Sequence, residues 1–235
     1  MLEIDTAKVA DIKELTHNEY LDSSVQDKIK RKELQYYLIG KRLFDIVASC
    51  LALILLFPFM LIVCLIVFID DPSGSPIFKQ IRCGKDGKLF TMYKFRSMCV
   101  NAEDLLNQLK NNNEMDGPAF KIKNDPRVTK IGKILRASCV DELPQLFNIL
   151  QGDMSIVGPR PPLPNEVDKY SESEKQRLSV VPGLTCYWQI QPNRNSISFD
   201  EWMKLDKQYI KERSFSVDFE IIVKTFSVVM HMKGC

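Results

Sequence analysis

Two adjacent carboxylates, Asp141 and Glu142, stand just before Leu143-Pro144-Gln145, with cationic side chains on either side of them in the chain. Lys94 and Arg96 precede them, Arg136 lies five residues upstream, and Arg160 follows in a proline-rich stretch. Pro144 suits the first position of a helix, where the N–H it lacks would have no partner anyway. The mostly apolar segment from Gln145 to Gln151 is stopped by Gly152. The carboxylates therefore lie beside a helix start, a position that favours negative charge on either a side chain or a phosphate. Carboxylates set among cations point to chemistry on a phosphorylated substrate.

The two histidines, His17 and His231, lie near opposite ends of the 235 residues. A Ser-His or Cys-His nucleophile and a His-ligated metal are thus disfavoured, and carboxylates, Lys, Tyr or Cys must do any acid–base or nucleophilic work. Seven cysteines without a C-x-x-C pair read as reduced thiols of a cytosolic compartment. A net charge of +2 is too small to argue for nucleic acid. No Walker-type phosphate loop is present, which argues against ATP-driven action.

The elements that must hold these residues follow from patterning. Ile77–Arg82 and Lys88–Arg96 read as two strands joined by a turn, with Lys94 and Arg96 on one face of the second. Asn101–Asn112 reads as a helix. Lys130–Ser138 reads as a short basic helix that delivers Arg136 to the carboxylates. After a brief strand, Met154–Val157, the segment from Gly158 to Pro164 holds four prolines, which fix φ around Arg160. Asn165–Val180 is expected as one amphipathic helix and Thr185–Gln191 as an extended segment. Phe199–Arg213 is expected as a helix capped by Ser198 with Glu201, and Val217–Met232 as an apolar helix of the core or of a membrane interface.

Residues 1–40 are polar and mixed in charge, a frayed or partly helical extension or a basic surface toward anionic lipid. No signal peptide is expected at its start. The run Ile46–Ile69 is apolar apart from Ser49 and Pro58. At 1.5 Å per residue it would measure roughly 36 Å, enough to cross a bilayer core. Pro58 near its middle favours a kink. A spanning helix and a re-entrant hairpin compete. Lys and Arg on both flanks, including Lys41, Arg42, Lys79 and Arg82, are what two ends on one membrane face would produce.

Taken together the chain resembles the bacterial sugar transferase family, the monotopic phosphoglycosyl transferases. The resemblance rests on Lys41-Arg42-Leu43-Phe44-Asp45 before a proline-broken apolar run, Lys94-Phe95-Arg96-Ser97-Met98, Asp125-Pro126-Arg127-Val128-Thr129 and Leu135-Arg136. It continues through Asp141-Glu142-Leu143-Pro144-Gln145-Leu146, then Gly152 to Pro161, then Pro182-Gly183-Leu184-Thr185, in family order from about residue 41 onward. It implies a mostly helical α/β fold: residues 41–71 as a re-entrant membrane helix broken at Pro58, and residues 72–235 as a small cytosolic catalytic domain with amphipathic interface helices.

The same resemblance implies transfer of a sugar-1-phosphate from a UDP-sugar to undecaprenyl phosphate at the inner leaflet of the bacterial cytoplasmic membrane, with the catalytic domain facing the cytoplasm. UMP would be released, as the initiating step of a capsule, exopolysaccharide or O-antigen. Asp141 takes the family's nucleophile position. Glu142 is implied as a Mg²⁺ ligand, with Asp141, or as a proton acceptor. Lys94, Arg136 and Arg160 match the family's phosphate-binding cations. Arg194, in the stretch Gln191–Asn195 that replaces a shorter Ser-Gly-Arg, stands in for another. Phe57 stands before Pro58 where many members carry a hydroxyl residue. The alternative is a membrane-associated glycosyltransferase releasing UDP, against which the missing Asp-x-Asp motif counts. A multi-span transferase does not fit one apolar run, and a non-enzymatic membrane scaffold leaves the polar constellation unexplained. The sugar, the polymer and the oligomeric state, a homodimer included, are left open.

Overall fold

The computed structural model describes residues 6–109, 113–120, 122, 124–192 and 196–230, with side chains of the first helix from residue 30 onward. The chain forms two compact units, Met1–Leu43 and Phe44–Cys235, and helix α1 (Thr6–Asp70) supplies residues to both. In the first unit the Lys41 ammonium lies 6.0 Å from the centre of the Tyr37 ring, one helical turn earlier.

In the second unit, helical structure continues across Pro58 to Asp70. A proline removes one N–H and crowds the carbonyl of Ile54 a turn earlier, so it bends a helix without obliging it to end. Around this helix Asp45, Ser49, Leu53, Met60, Val63 and Val67 are buried. Their spacing of three, four or seven residues makes one stripe. Leu53, Met60, Val63 and Val67 pack into the main core with Phe90, Met92, Phe95, Leu135, Leu146, Ile149 and Met154. The remaining faces present Leu51, Ile54, Leu55, Phe57, Phe59, Leu61, Ile62, Leu65 and Ile69 outward. This is the one helix among the described residues long and apolar enough to cross a membrane.

Strands β1 (Ile77–Cys83) and β2 (Leu89–Phe95) pair antiparallel, from Ile77 opposite Phe95 to Cys83 opposite Leu89. Their 3₁₀ turn, Lys85–Gly87, uses positive φ at Asp86 and Gly87. Next come α2 (Ala102–Leu109), α3 (Lys130–Ala137) and, after a 3₁₀ turn at Val140–Glu142, α4 (Gln145–Gln151). Strand β3 (Ser155–Val157) pairs in parallel with β4 (Gly183–Thr185), and helices α5 (Pro164–Val167) and α6 (Glu172–Lys175) lie between them. The described chain closes with α7 (Phe199–Glu212) and α8 (Phe215–Met230). The expected mostly helical α/β fold is the one observed.

Two expectations change. The helix foreseen over residues 165–180 is α5, α6 and a 3₁₀ turn at Gln176–Ser179, because Ser171 starts a new helix by exchanging hydrogen bonds with Glu174. Extended structure from Thr185 ends at once, since the chain turns to bury Cys186 and Trp188 with Ile197. On α8 one acidic residue turns inward. Asp218 is buried and accepts a 2.9 Å hydrogen bond from the Tyr209 hydroxyl. Phe215, Phe219, Val223 and Phe226 face out instead.

Candidate active site

The carboxylate pair sits on the 3₁₀ turn between α3 and α4. Cys139 enters it with φ 55°, a left-handed conformation that costs energy for a residue with a Cβ. That single reversed residue ends α3 and turns Asp141 inward, where the residue is 7% exposed. Pro144 and Gly152 bound α4 as the sequence indicates, with Gly152 at φ 91° closing it.

Asn148 fixes this turn against β2. Its Nδ2 donates to the Thr91 carbonyl at 2.7 Å and its Oδ1 accepts from the Tyr93 N–H at 3.1 Å, so one side chain serves the strand edge as a neighbouring strand would. Removing it would leave two part-buried backbone groups without this partner, at most about 1–3 kcal/mol each. Lys94, next along β2, then meets Glu142 Oε1 at 2.7 Å. Sequence patterning does not reveal Asn148, because an Asn inside a short apolar helix carries no motif.

Arg136 approaches from α3. Thr129 caps this helix by accepting from the Gly132 N–H at 2.9 Å, and Arg136 Nε donates to Ser97 Oγ at 3.0 Å. Gly132 is needed for close approach, since a Cβ there would lie 1.9 Å from the Ser97 carbonyl oxygen.

Arg160 is held by the loop around it. Prolines supply no N–H, so the loop's carbonyls must find donors elsewhere. They find one each: Pro159 from the Gly183 N–H at 2.9 Å, Arg160 from Arg177 Nη2 at 3.0 Å, Pro161 from Arg82 Nη1 at 3.0 Å, Pro162 from the Cys83 N–H at 2.9 Å. Arg82 and Arg177, both buried, therefore hold the loop that carries Arg160, and sequence reading passes over them. Burial brings the Arg82 guanidinium down to about 9, helped by the nearby charge of Arg160.

Lys94, Glu142, Gln145 and Arg160 line one open cleft with Met92, Pro161, Gly183, Leu184 and Gln189. Burial raises the Asp141 carboxyl to about 6; Lys94 and Arg136 oppose the shift and Glu142 adds to it. Burial pushes Glu142 the same way, but Lys94 and Arg160 outweigh it and hold its carboxyl below the usual range. One carboxylate is thus kept charged by cations, and the other is poorly solvated as an anion. Gln145, 3% exposed, also favours the Glu142 charge, yet its Nε2 closes no hydrogen bond among the described residues.

The structure thus brings together Asp141, Glu142, Lys94, Arg136 and Arg160, and Pro58 lies apart in α1. Arg194 falls outside the described residues. Arg96, grouped with Lys94 by alternation, goes elsewhere. Its Nη1 pairs with Asp71 at 3.1 Å and its Nη2 donates to the Asp71 carbonyl, tying down the end of α1. Arg127 is likewise committed, to Asp125 at 2.6 Å.

For a divalent cation, no cluster of three or more His, Cys, Asp or Glu side chains exists among the described residues. Mg²⁺ does not need one, because it is commonly held by one or two carboxylates together with substrate phosphates and water. Two adjacent carboxylates, of which Glu142 lines the cleft, fit that donor set.

The bacterial sugar transferase model matches residues 36–232. Over 194 residues the chain is 45% identical to the galactosyl transferase CpsE of Streptococcus agalactiae, covering 83% of this chain and 43% of that protein. It is 38% identical to the undecaprenyl-phosphate galactose phosphotransferase of Salmonella typhimurium, covering 89% of this chain and 44% of the relative. Identity is also 38% to the exopolysaccharide production protein ExoY of Rhizobium meliloti, over 83% of this chain and 88% of that one. The chain spans less than half the length of the first two relatives and nearly all of the third. A family match over most of the chain, with Glu142, Lys94 and Arg160 lining one cleft beside Asp141, makes this protein a member of the bacterial sugar transferase family.

Proposed function

We propose that this protein transfers a sugar-1-phosphate from a UDP-sugar to undecaprenyl phosphate, releasing UMP, through a covalent intermediate on Asp141. The observation that carries the reading is the division of labour between neighbouring carboxylates: Glu142 paired with Lys94 at 2.7 Å, Asp141 buried and only weakly held as an anion. Moving a phosphoryl centre between oxygens needs charge neutralisation and alignment above all. A carboxylate nucleophile divides the exchange into two displacements.

In the first, an Asp141 oxygen forms a bond to the sugar-bearing phosphorus, the bond from that phosphorus to the bridging oxygen breaks, and UMP leaves with the electron pair. In the second, a phosphate oxygen of the acceptor attacks the same phosphorus, and Asp141 departs as a carboxylate. Lys94, Arg136 and Arg160 hold the phosphate oxygens and offset the charge gathered there, Arg by its two-pronged donor set. Asp141 and Glu142 would hold Mg²⁺, which when bound supplies further charge neutralisation on the diphosphate. Lys94 cannot serve Glu142 and a phosphate equally well, so donor binding is expected to loosen the 2.7 Å pair.

The decisive assay offers a panel of UDP-sugars with undecaprenyl phosphate and identifies the nucleotide formed. UMP with one or a few donors supports the reading. UDP would favour a glycosyltransferase moving a bare sugar, and no nucleotide release from any donor would favour a scaffold.

Membrane association is part of the same proposal, with α1 entering one leaflet and returning. A helix that crosses a bilayer leaves a water-side domain beside one of its ends only. Here the inward stripe runs the length of the apolar segment. Asp45 accepts from the Ile156 N–H at 3.0 Å near one end, and Arg96 holds Asp71 at the other. Labelling with a membrane-impermeant maleimide, after replacing native cysteines by Ser, is expected to modify Lys41→Cys and Ser75→Cys from the same side of the membrane. Modification from opposite sides would mean a spanning helix.

A further inference from the structure

Arg177 lies outside the cleft, yet the loop that presents Arg160 depends on it. Its guanidinium donates to the Tyr170 hydroxyl at 2.8 Å and to the Arg160 carbonyl at 3.0 Å, and pairs with Asp206 of α7 at 2.7 Å. It also stacks 5.3 Å from the centre of the Trp202 ring and 5.7 Å from that of Tyr170. Arg177 is 3% exposed and Asp206 is 1% exposed, so each charge relies on the other.

The geometry of Arg160 explains why this one bond matters. Pro159 and Pro161 flank it, and the residue before a proline is confined to extended conformations. Once its carbonyl is pinned, little rotation remains in the backbone, and the side chain starts from a fixed point at the cleft wall. The neighbouring carbonyls of Pro159 and Pro162 are held by backbone N–H groups and that of Pro161 by Arg82, which leaves Arg177 as the donor for Arg160 itself.

We propose that Arg177 is a positioning residue for the transfer reaction. Held in place by Asp206, it fixes the Arg160 carbonyl, so that the Arg160 guanidinium faces the donor phosphates before they arrive. The inference rests on the proposed role of Arg160 as a phosphate-binding group. It couples the interior of α7 to the cleft through one side chain.

The test is a double-mutant cycle read by UMP release in the full-length protein. Arg177→Lys keeps a cation beside Asp206 but cannot span the Tyr170 hydroxyl and the Arg160 carbonyl together. In the native background it is expected to raise the KM for the UDP-sugar about 10-fold with a smaller change in kcat, consistent with lost alignment of a bound phosphate. In an Arg160→Ala background the same substitution is expected to change kcat/KM less than about 2-fold, because the group it positions is gone. Equal losses in both backgrounds, or no loss in either, would overturn the proposal. If Arg177→Lys does not accumulate as folded protein, Asp206→Asn, nearly isosteric and directed at the same guanidinium, goes through the same cycle with the same criteria. Absence of UMP release by the native protein would instead count against the proposed function itself, and so is distinguishable.

Discussion

Asp141→Asn is expected to reduce UMP release on the order of 10⁴-fold or more, the scale seen when a covalent nucleophile is removed, while leaving the protein at least as stable. The two halves of this expectation have one cause. Burial raises the carboxyl of Asp141 to about 6, so near neutral pH the native fold carries a charge it solvates poorly. The group binds its proton more tightly folded than unfolded. Its contribution to stability is therefore greatest when protonated and is lost as pH rises from the unfolded value toward 6. The amide has nearly the same shape and no charge to desolvate. Thermal melts at pH 7.5 are expected to give a Tm equal to or above that of the native protein. Loss of activity with a lowered Tm would mean that Asp141 is a structural cap. Full turnover in this variant, with loss in Glu142→Gln, would transfer the nucleophile role to the neighbour.

The second large effect belongs to Lys94. Lys94→Met is expected to lower kcat/KM by about 10²–10³-fold, comparable to removing one donor that faces developing charge. Its partner Glu142 is left without its closest cation, and side chains only 17% and 15% exposed make that costly, about 3 kcal/mol at the low end for a buried pair. Lys94 is also the largest force opposing the upward shift at Asp141. In the native protein turnover should fall as pH drops below about 6, because the nucleophile takes up a proton. Without Lys94 the same acid limb should move to higher pH. A limb that stays in place would separate Lys94 from the Asp141 charge.

Much of this site can be read from the chain because its parts lie close in sequence or in recurring patterns. Pro144 and Gly152 bracket α4, the prolines isolate Arg160, and alternation places Lys94 on β2. What cannot be read depends on distant partners. Asn148 meets Thr91 and Tyr93 more than fifty residues away, and Arg177 in its 3₁₀ turn meets Asp206 of α7. Arg96 has the type and spacing of a substrate-binding cation, yet Asp71, twenty-five residues earlier, takes it for the fold. On α8 one buried hydroxyl, that of Tyr209, turns Asp218 inward and leaves the phenylalanines outside.

That outward face agrees with a protein working at a lipid surface. Phe215, Phe219, Val223 and Phe226 recur every three or four residues along α8, while Ile221 and Thr225 face the core, Thr225 meeting the Thr185 hydroxyl at 2.7 Å. Together with the exposed apolar faces of α1, they supply surface that water solvates poorly and a bilayer interface accepts.

Transfer in two displacements requires that Asp141 carry the sugar phosphate. Native protein is mixed with its UDP-sugar, without acceptor lipid, quenched, digested and examined by peptide mass analysis. A sugar-phosphate adduct on the peptide bearing Asp141, lost when undecaprenyl phosphate is added before quenching and absent from Asp141→Asn, is the expected result. An unmodified peptide from protein that turns over normally would contradict transfer through this side chain.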